Sequence, residues 1–296
     1  MDVSGGSRSL VVLTWKAPRT LARTLDTLAP LFPMFTERLV VCQEAQPEEM
    51  KIASRAGFQA VPLSENLGIQ GGLKAAVQAA TTQRVLLLEN DCGFVGGAGI
   101  VADVLDRADQ LMALSDVRFV KMQAMPDPPR RRFFRNWRFR NGQLNRRFAA
   151  FLRPENADGV LSEAVVFPRP DLLAPRAIEA VGDGLFLTDS RFAVWSNRAN
   201  YLAKNFFLNE LLPFAEANPT RRHCNGLPEL EHRINAPFRR WWWRRNRFPL
   251  LVAHPGFFDH TRVDRPVGDS KWLDGGPVAT LRTTPPDTDR GGPCAS

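Results

Sequence analysis

Residues 84–91 read RVLLLEND: an arginine, four apolar residues, then Glu89-Asn90-Asp91. A short apolar run bounded in this way reads as a strand of a buried sheet. It stops at acidic oxygens, and carboxylates suit hard divalent ions such as Mg²⁺ or Mn²⁺, which bridge to substrate phosphates. The same triplet also fits a solvated turn after a buried strand.

Outward from this strand, the first 125 residues alternate between two patterns. Ser9–Trp15 (SLVVLTW) is a strand. The leucines at 21, 25, 28 and 31 follow at helical spacing, with Pro18 and Thr20 near the start. Arg38–Cys42 (RLVVC) is a second strand. Pro47–Ala56 is a helix whose proline and two glutamates suit its positive end. Phe58–Leu63 is a weaker strand, and Gln70–Thr81 (QGGLKAAVQAAT) is helical. After Arg84–Glu89 come a helix over Gly99–Leu114 and a strand over Val117–Met122. Strands and helices in alternation with short connections imply an α/β fold, a mostly parallel twisted sheet flanked by helices. Ligands bind such sheets at the carboxyl ends of the strands. The strand ends here are Thr14-Trp15-Lys16, Gln43-Glu44, Glu65-Asn66 with Gly68, and Glu89-Asn90-Asp91.

Between the third and fourth strands, ENLGIQGGLKAAVQAA holds Gly68, Gly71 and Gly72. Glycines before a helix allow either close approach of a phosphate to the backbone or tight helix packing. The spacing matches neither the dinucleotide fingerprint nor the P-loop.

Together these segments resemble family 2-type glycosyltransferases of the GT-A fold. LVVLTWKAPRTLARTLDTL resembles their opening strand and helix, and RLVVCQEAQPEE their second strand and acidic turn. SENLGIQGGLKAAVQAA is similar to their Asn-x-Gly segment, and RVLLLEND to the strand ending in Asp-x-Asp. The resemblance implies a nucleotide-diphosphate sugar donor and Mn²⁺ or Mg²⁺. It places Thr14, Trp15, Gln43, Glu44, Asn66, Gly68, Glu89 and Asn90 at the donor, and Asp91 and Glu89 at the metal. Gln43 stands where the family has an acidic residue, and Glu-Asn-Asp replaces Asp-x-Asp. GLPELEHRI (226–234) resembles the acidic segment that supplies the catalytic base of inverting members, so Glu229 or Glu231 is implied as the base. At i and i+2 on a helix they face different ways. HPGFFDHTRVD (254–264) resembles the segment that completes the metal site, with His260 the implied ligand and His254 the alternative. The implied layout is a nucleotide-sugar-binding half over 1–125, an irregular acceptor-binding half over 126–265, and a loose tail over 266–296.

Composition bounds the setting. The chain has 296 residues, 44% hydrophobic and 24% charged, which is ordinary for a globular protein. The net charge of +8 and a pI near 9.9 favour polyanionic or phosphate-bearing partners. Four widely spaced cysteines give no CxxC pair, which argues against structural zinc and a disulfide framework and fits a reducing compartment. No apolar run reaches the roughly 18 residues of a membrane span. The expected location is therefore cytoplasmic, with peripheral attachment to a membrane as the option left open. Two basic aromatic blocks, RRRFFRNWRFRNGQLNRR (130–147) and FRRWWWRRNRF (238–248), suit an anionic membrane surface, a sugar–diphosphate pocket, or packed helices with solvated arginines. The acceptor is a glycan, a lipid-linked group or a protein; nucleic acid is the disfavoured partner. Two other readings stand beside the transferase. One is a nucleotidyltransferase, whose basic glycine-rich loop TWKAPRTL lacks. The other is a non-catalytic nucleic-acid- or membrane-binding protein that uses the Arg/Trp blocks.

Overall fold

The computed structural model describes residues 6–124, 139–140, 143–144, 165, 169–173, 175–219, 223–224, 227–235 and 240–263. All lie in one compact unit, Met1–Pro266. The expected tail, 266–296, and most of the first basic block, including Arg130, Arg131, Arg132 and Arg135, lie outside the described residues.

The strands in chain order are β1 (Arg8–Thr14), β2 (Glu37–Cys42), β3 (Gln59–Pro62), β4 (Arg84–Glu89), β5 (Cys92–Phe94), β6 (Phe119–Lys121), β7 (Phe139–Arg140), β8 (Gln143–Leu144), β9 (Glu179–Gly182), β10 (Leu185–Asp189), β11 (Asn200–Ala203), β12 (His223–Cys224), β13 (Leu227–Pro228), β14 (Pro249–Ala253) and β15 (Phe258–His260). Helices α1 (Pro18–Leu28), α2 (Pro47–Arg55), α3 (Gly68–Ala79) and α4 (Ala98–Leu114) fill the first half. Nine strands form the main sheet in the order β3-β2-β1-β4-β11-β6-β14-β10-β9. All of them run one way except β10 and β11. This is the mixed, mostly parallel sheet that the alternating pattern implies. The short strand β5 and its antiparallel partner β15 form a separate ladder, which the sequence pattern did not indicate.

Both faces of the sheet are covered, which explains the continuous apolar runs. Val11 and Leu13 of β1, Val85 and Leu87 of β4, and Leu250 and Val252 of β14 point into one core, with Leu73, Ala76 and Val77 of α3. Their alternates, Leu10, Val12, Leu86, Leu88, Leu251 and Ala253, point into the other, with Leu21, Leu25 and Leu28 of α1 and Val101, Val104 and Leu105 of α4. The leucine spacing read from the sequence is thus the buried stripe of α1. Glycines 68, 71 and 72 serve packing. A Cβ on Gly72 would lie 2.9 Å from Leu13 and Gln43, and one on Gly71 2.5 Å from Leu67. Helix α3 starts at Gly68, two residues before the expected Gln70.

The second half completes the first core. A helix runs through Lys204–Phe206, a π-helical turn Phe207–Leu211 and Leu212–Ala217, and two shorter helices follow at Leu230–Asn235 and Arg240–Asn246. In the last, Trp243 is fully buried and its Nε1 donates to the Ala193 carbonyl at 2.8 Å. Trp242 stacks on Phe214 at 3.8 Å, and Trp241 is 56% exposed. Most of the aromatic surface of the second basic block is therefore core.

After β14 the chain turns at Gly256 (φ 87°), where a Cβ would lie 2.1 Å from the Gln123 carbonyl oxygen. Only glycine meets both conditions, and this turn delivers β15 to β5. Gly256→Ala is expected to destabilise the protein by at least about 2 kcal/mol, from overpacking and left-handed strain. An unchanged denaturant midpoint would contradict this.

Candidate metal centre and cleft

The ends of β1, β2, β3, β4, β6 and β14 share the carboxyl edge of the sheet. Glu89 closes β4 opposite Leu13. The strand ends there, and Asn90 and Asp91 form the turn into β5. Asn90 is fixed inward: its Nδ2 donates to Thr14 Oγ1 at 3.0 Å, and its carbonyl accepts from Thr24 Oγ1 at 2.6 Å. The two carboxylates take no part in these bonds.

His260 reaches them from the far end of the chain. Pairing of β15 with β5 sets His260 opposite Cys92, and His260 Nε2 lies 3.0 Å from Asp91 Oδ2. The Thr261 amide donates to the Asp91 carbonyl at 2.8 Å. One ligand atom each from Glu89, Asp91 and His260 fits within 4.8 Å of the others, the spacing a single ion requires. His254 is not part of this group; its amide donates to the Gly184 carbonyl.

The electrostatics of the three differ. Burial, then the charges of Asp91 and Glu231, push the Glu89 carboxyl up to about 7, against the pull of His260 and Arg198. Burial would also raise Asp91, but the His260 hydrogen bond and the charges of His260 and Arg262 outweigh it and hold Asp91 below the usual carboxylate range. His260 is raised, chiefly by its hydrogen bond to Asp91. Glu89 and His260 thus both hold protons more firmly than usual in the place where an ion would sit.

Beside it, the ends of β1 and β2 are joined. Lys16 and Glu44 both adopt left-handed backbone, with φ 47° and 53°, and form an ion pair. Lys16 lies 5.5 Å from the Trp15 ring centroid, and the Lys16 hydrogen bond lowers the Glu44 pKa. Thr14 is buried, its hydroxyl donating to Glu49 Oε1 at 2.6 Å. Gln43 Oε1 accepts from the Leu67 amide at 2.9 Å, and Asn66 Oδ1 from the Gly68 amide at 2.9 Å. Thr14, Gln43 and Asn66 thus spend hydrogen bonds on shaping the cleft wall. At Gly68 (φ 71°), a Cβ would lie 2.6 Å from Leu227 Cβ. Its bareness admits the segment that leads into Glu229.

The structure separates the two candidate bases. Glu229 is 8% exposed, turned inward to Asn197 Nδ2 at 3.4 Å and to His232 Nδ1. Glu231 is partly exposed, and its charge acts on Glu89 and on Lys121.

Three further residues belong to this region. Glu49 is fully buried and also accepts from the Ala17 amide at 3.1 Å, holding the turn after β1. Lys121 ends β6, and Arg198 lies just before β11. The strand-end rule that singled out Thr14 and Glu89 applies equally to Lys121; Glu49 and Arg198 carry no sequence signal of this kind.

No protein-family model and no curated protein sequence matches the chain. Among solved structures it resembles residues 1–349 of S. aureus TarS (11% identity, 86% of this chain and 60% of that one, TM-score 0.48). It also resembles glucosyl-3-phosphoglycerate synthase from Mycobacterium tuberculosis in complex with Mn²⁺, uridine diphosphate and glucosyl-3-phosphoglycerate (13% identity, 89% and 74%, TM-score 0.43). A third is the mannosyltransferase PcManGT from Pyrobaculum calidifontis in complex with GDP-Man and Mn²⁺ (18% identity, 46% and 39%, TM-score 0.35). At such identities the likeness concerns the fold.

Metal uptake at this group must displace the proton on Glu89 and the one shared by His260. Because the Glu89 pKa is raised to about 7 and that of His260 is raised as well, protons compete into the neutral range, so affinity climbs as pH rises through it. Mn²⁺ titrations are expected to show at least about a tenfold gain from pH 6 to pH 8, the linkage for one such proton. Affinity independent of pH over this range would reject the triad as the ligand set.

Proposed function

We propose that this chain is a metal-dependent glycosyltransferase that moves a sugar from a nucleotide-diphosphate donor to a hydroxyl acceptor, with inversion. The observation that carries this reading is the Glu89–Asp91–His260 group at the end of β4, with Glu231 acting on it across the carboxyl edge. A carboxylate pair and an imidazole are a ligand set for Mn²⁺ or Mg²⁺. When bound, such an ion supplies positive charge to a leaving diphosphate.

The remaining roles fall to the chain's own side chains. The joined ends of β1 and β2, with Trp15 and the Lys16–Glu44 pair, offer an aromatic face and a polar rim for base and ribose. Thr14, Gln43, Asn66 and Asn90 position that rim through the internal bonds described above. Gly68 lets the Leu227–Pro228 segment close over the start of α3.

Glu231, rather than Glu229, would take the proton from the acceptor hydroxyl. Its charge acts on Glu89 of the metal group, whereas Glu229 is already bound to Asn197 and His232. A base on the acceptor side, with the leaving group on the other, gives direct attack at the anomeric carbon and inversion there. Glu229 then acts as a positioning residue that fixes the start of the helix carrying Glu231.

Among the described residues no helix is long and apolar enough to cross a membrane. Membrane association therefore rests on the basic blocks, and in the second of these only Trp241 presents a largely exposed indole.

Two substitutions test the reading. Asp91→Ala is expected to abolish Mn²⁺-dependent binding of UDP- and GDP-sugars in calorimetry while leaving the circular dichroism spectrum intact. Unchanged donor affinity at saturating Mn²⁺ would refute the metal assignment. Glu231→Gln is expected to lower kcat at least about a hundredfold with donor affinity kept, as for loss of a general base. Normal turnover in this variant would place the base elsewhere.

A further inference from the structure

Arg198 sits in the loop that leads into β11. Two residues on, Asn200 pairs with Leu87 of β4 on one side and Lys121 of β6 on the other. The loop therefore crosses the carboxyl edge between Glu89 and Lys121, and the Arg198 charge acts on Glu89, Lys121 and His260.

Most arginines packed against the sheet have carboxylate partners. Arg8 pairs with Asp106 and Asp109, Arg84 with Asp109, and Arg191 with Asp189. Arg198 is half-buried, and among the described residues its guanidinium makes no hydrogen bond or ion pair. Its neighbour is a second cation. Lys121 is 5% exposed, and its Nζ donates to the Val194 carbonyl at 2.7 Å. Burial, opposed by the charge of Glu231 and aided by that of Arg198, lowers the Lys121 pKa to about 8. Two cations held close together in a partly desolvated place are costly unless anions join them. Glu231 and Glu89 supply negative charge nearby, but among the described residues neither meets the guanidinium fork, which stays open to a further anion.

The place of this opening identifies whose anion it takes. Along the sheet, β3, β2, β1 and β4 form the side assigned to the donor, and β11 and β6 lie beyond Glu89. Arg198 and Lys121 stand on that far side with Glu231, the group assigned to the acceptor hydroxyl.

We propose that Arg198, backed by Lys121, binds a carboxylate or phosphate of the acceptor close to the hydroxyl that becomes glycosylated. A guanidinium presents a planar fork that matches either group with two parallel hydrogen bonds. The acceptor class is thus a small anionic hydroxy compound or the charged end of a larger one. The assignment to the acceptor rests on the transferase reading; the anion site itself does not.

Two arms of one experiment separate these. The first titrates inorganic phosphate into the metal-free protein at pH 6.5, where no ion can ligate the phosphate. Arg198→Gln is expected to weaken phosphate at least about tenfold, the loss of a charged hydrogen-bonded contact, and Arg198→Lys to retain part of the affinity. No phosphate binding by the wild-type protein, or equal binding by a folded Arg198→Gln variant, overturns the site. The second arm titrates UDP and GDP with Mn²⁺. Affinity unchanged in Arg198→Gln supports the acceptor assignment, and a loss of about tenfold or more transfers Arg198 to the donor diphosphate and overturns it. If the wild-type protein binds neither nucleotide, the transferase reading falls and the acceptor assignment with it, while the phosphate arm still decides the anion site.

Discussion

Two carboxylates gathered at one strand end repel each other, and much of the site's construction answers that repulsion. Glu89 at the end of β4 and Asp91 in the turn that follows are brought together there, and the protein does not neutralise them equally. Asp91 receives His260, while Glu89 is left with burial and like charge and retains a proton up to about pH 7. An unpaired charge in such a place is expensive. The imbalance is what one expects of a site completed by something outside the chain. A divalent ion removes the repulsion, replaces the protons and satisfies both oxygens at once.

Holding His260 against Asp91 requires the chain to return from more than 160 residues downstream. Loop closure of that length costs only logarithmically more than a short one, so the arrangement depends on how firmly the return is docked. Gly256 allows the turn to pass against Gln123, β15 pairs with β5, and the Phe258 and Phe94 rings lie 5.8 Å apart between centroids. The apolar ladder thus carries the polar contact.

The side of the cleft beyond Glu89 has its own support. Trp195, Trp243 and Phe119 form a buried aromatic group beneath the cleft. From Trp195 the polar links run outward: its Nε1 donates to Asn197 Oδ1 at 3.0 Å, and its carbonyl accepts from Asn235 Nδ2 at 2.8 Å. Asn197 in turn reaches Glu229. The loop that carries Arg198 and the helix that carries Glu231 are therefore fastened to one rigid core. The basic, tryptophan-rich block 238–248 shares in this, since burying Trp243 there contributes more to folding than an exposed indole would.

The sequence by itself determined the sheet and the acidic strand end. Apolar runs such as RVLLL and SLVVL have to be buried on both faces, and leucines at helical spacing have to cover them, so the alternation of the first four strands with helices is written locally, while their order in the sheet is not. The sequence did not determine the use of Gly68, Gly71 and Gly72, whose open backbone serves Leu227, Leu67 and Leu13. Nor could it choose between Glu229 and Glu231, because helix geometry says only that they diverge. What separates them is Asn197 and His232, which draw Glu229 inward, while the Glu231 charge acts on Glu89. Arg198 and Glu49 were silent for the same reason, while Lys121 carried only its place at a strand end. A single arginine, lysine or glutamate has no periodic signature, and its meaning comes from strand neighbours that only the assembled sheet brings within reach.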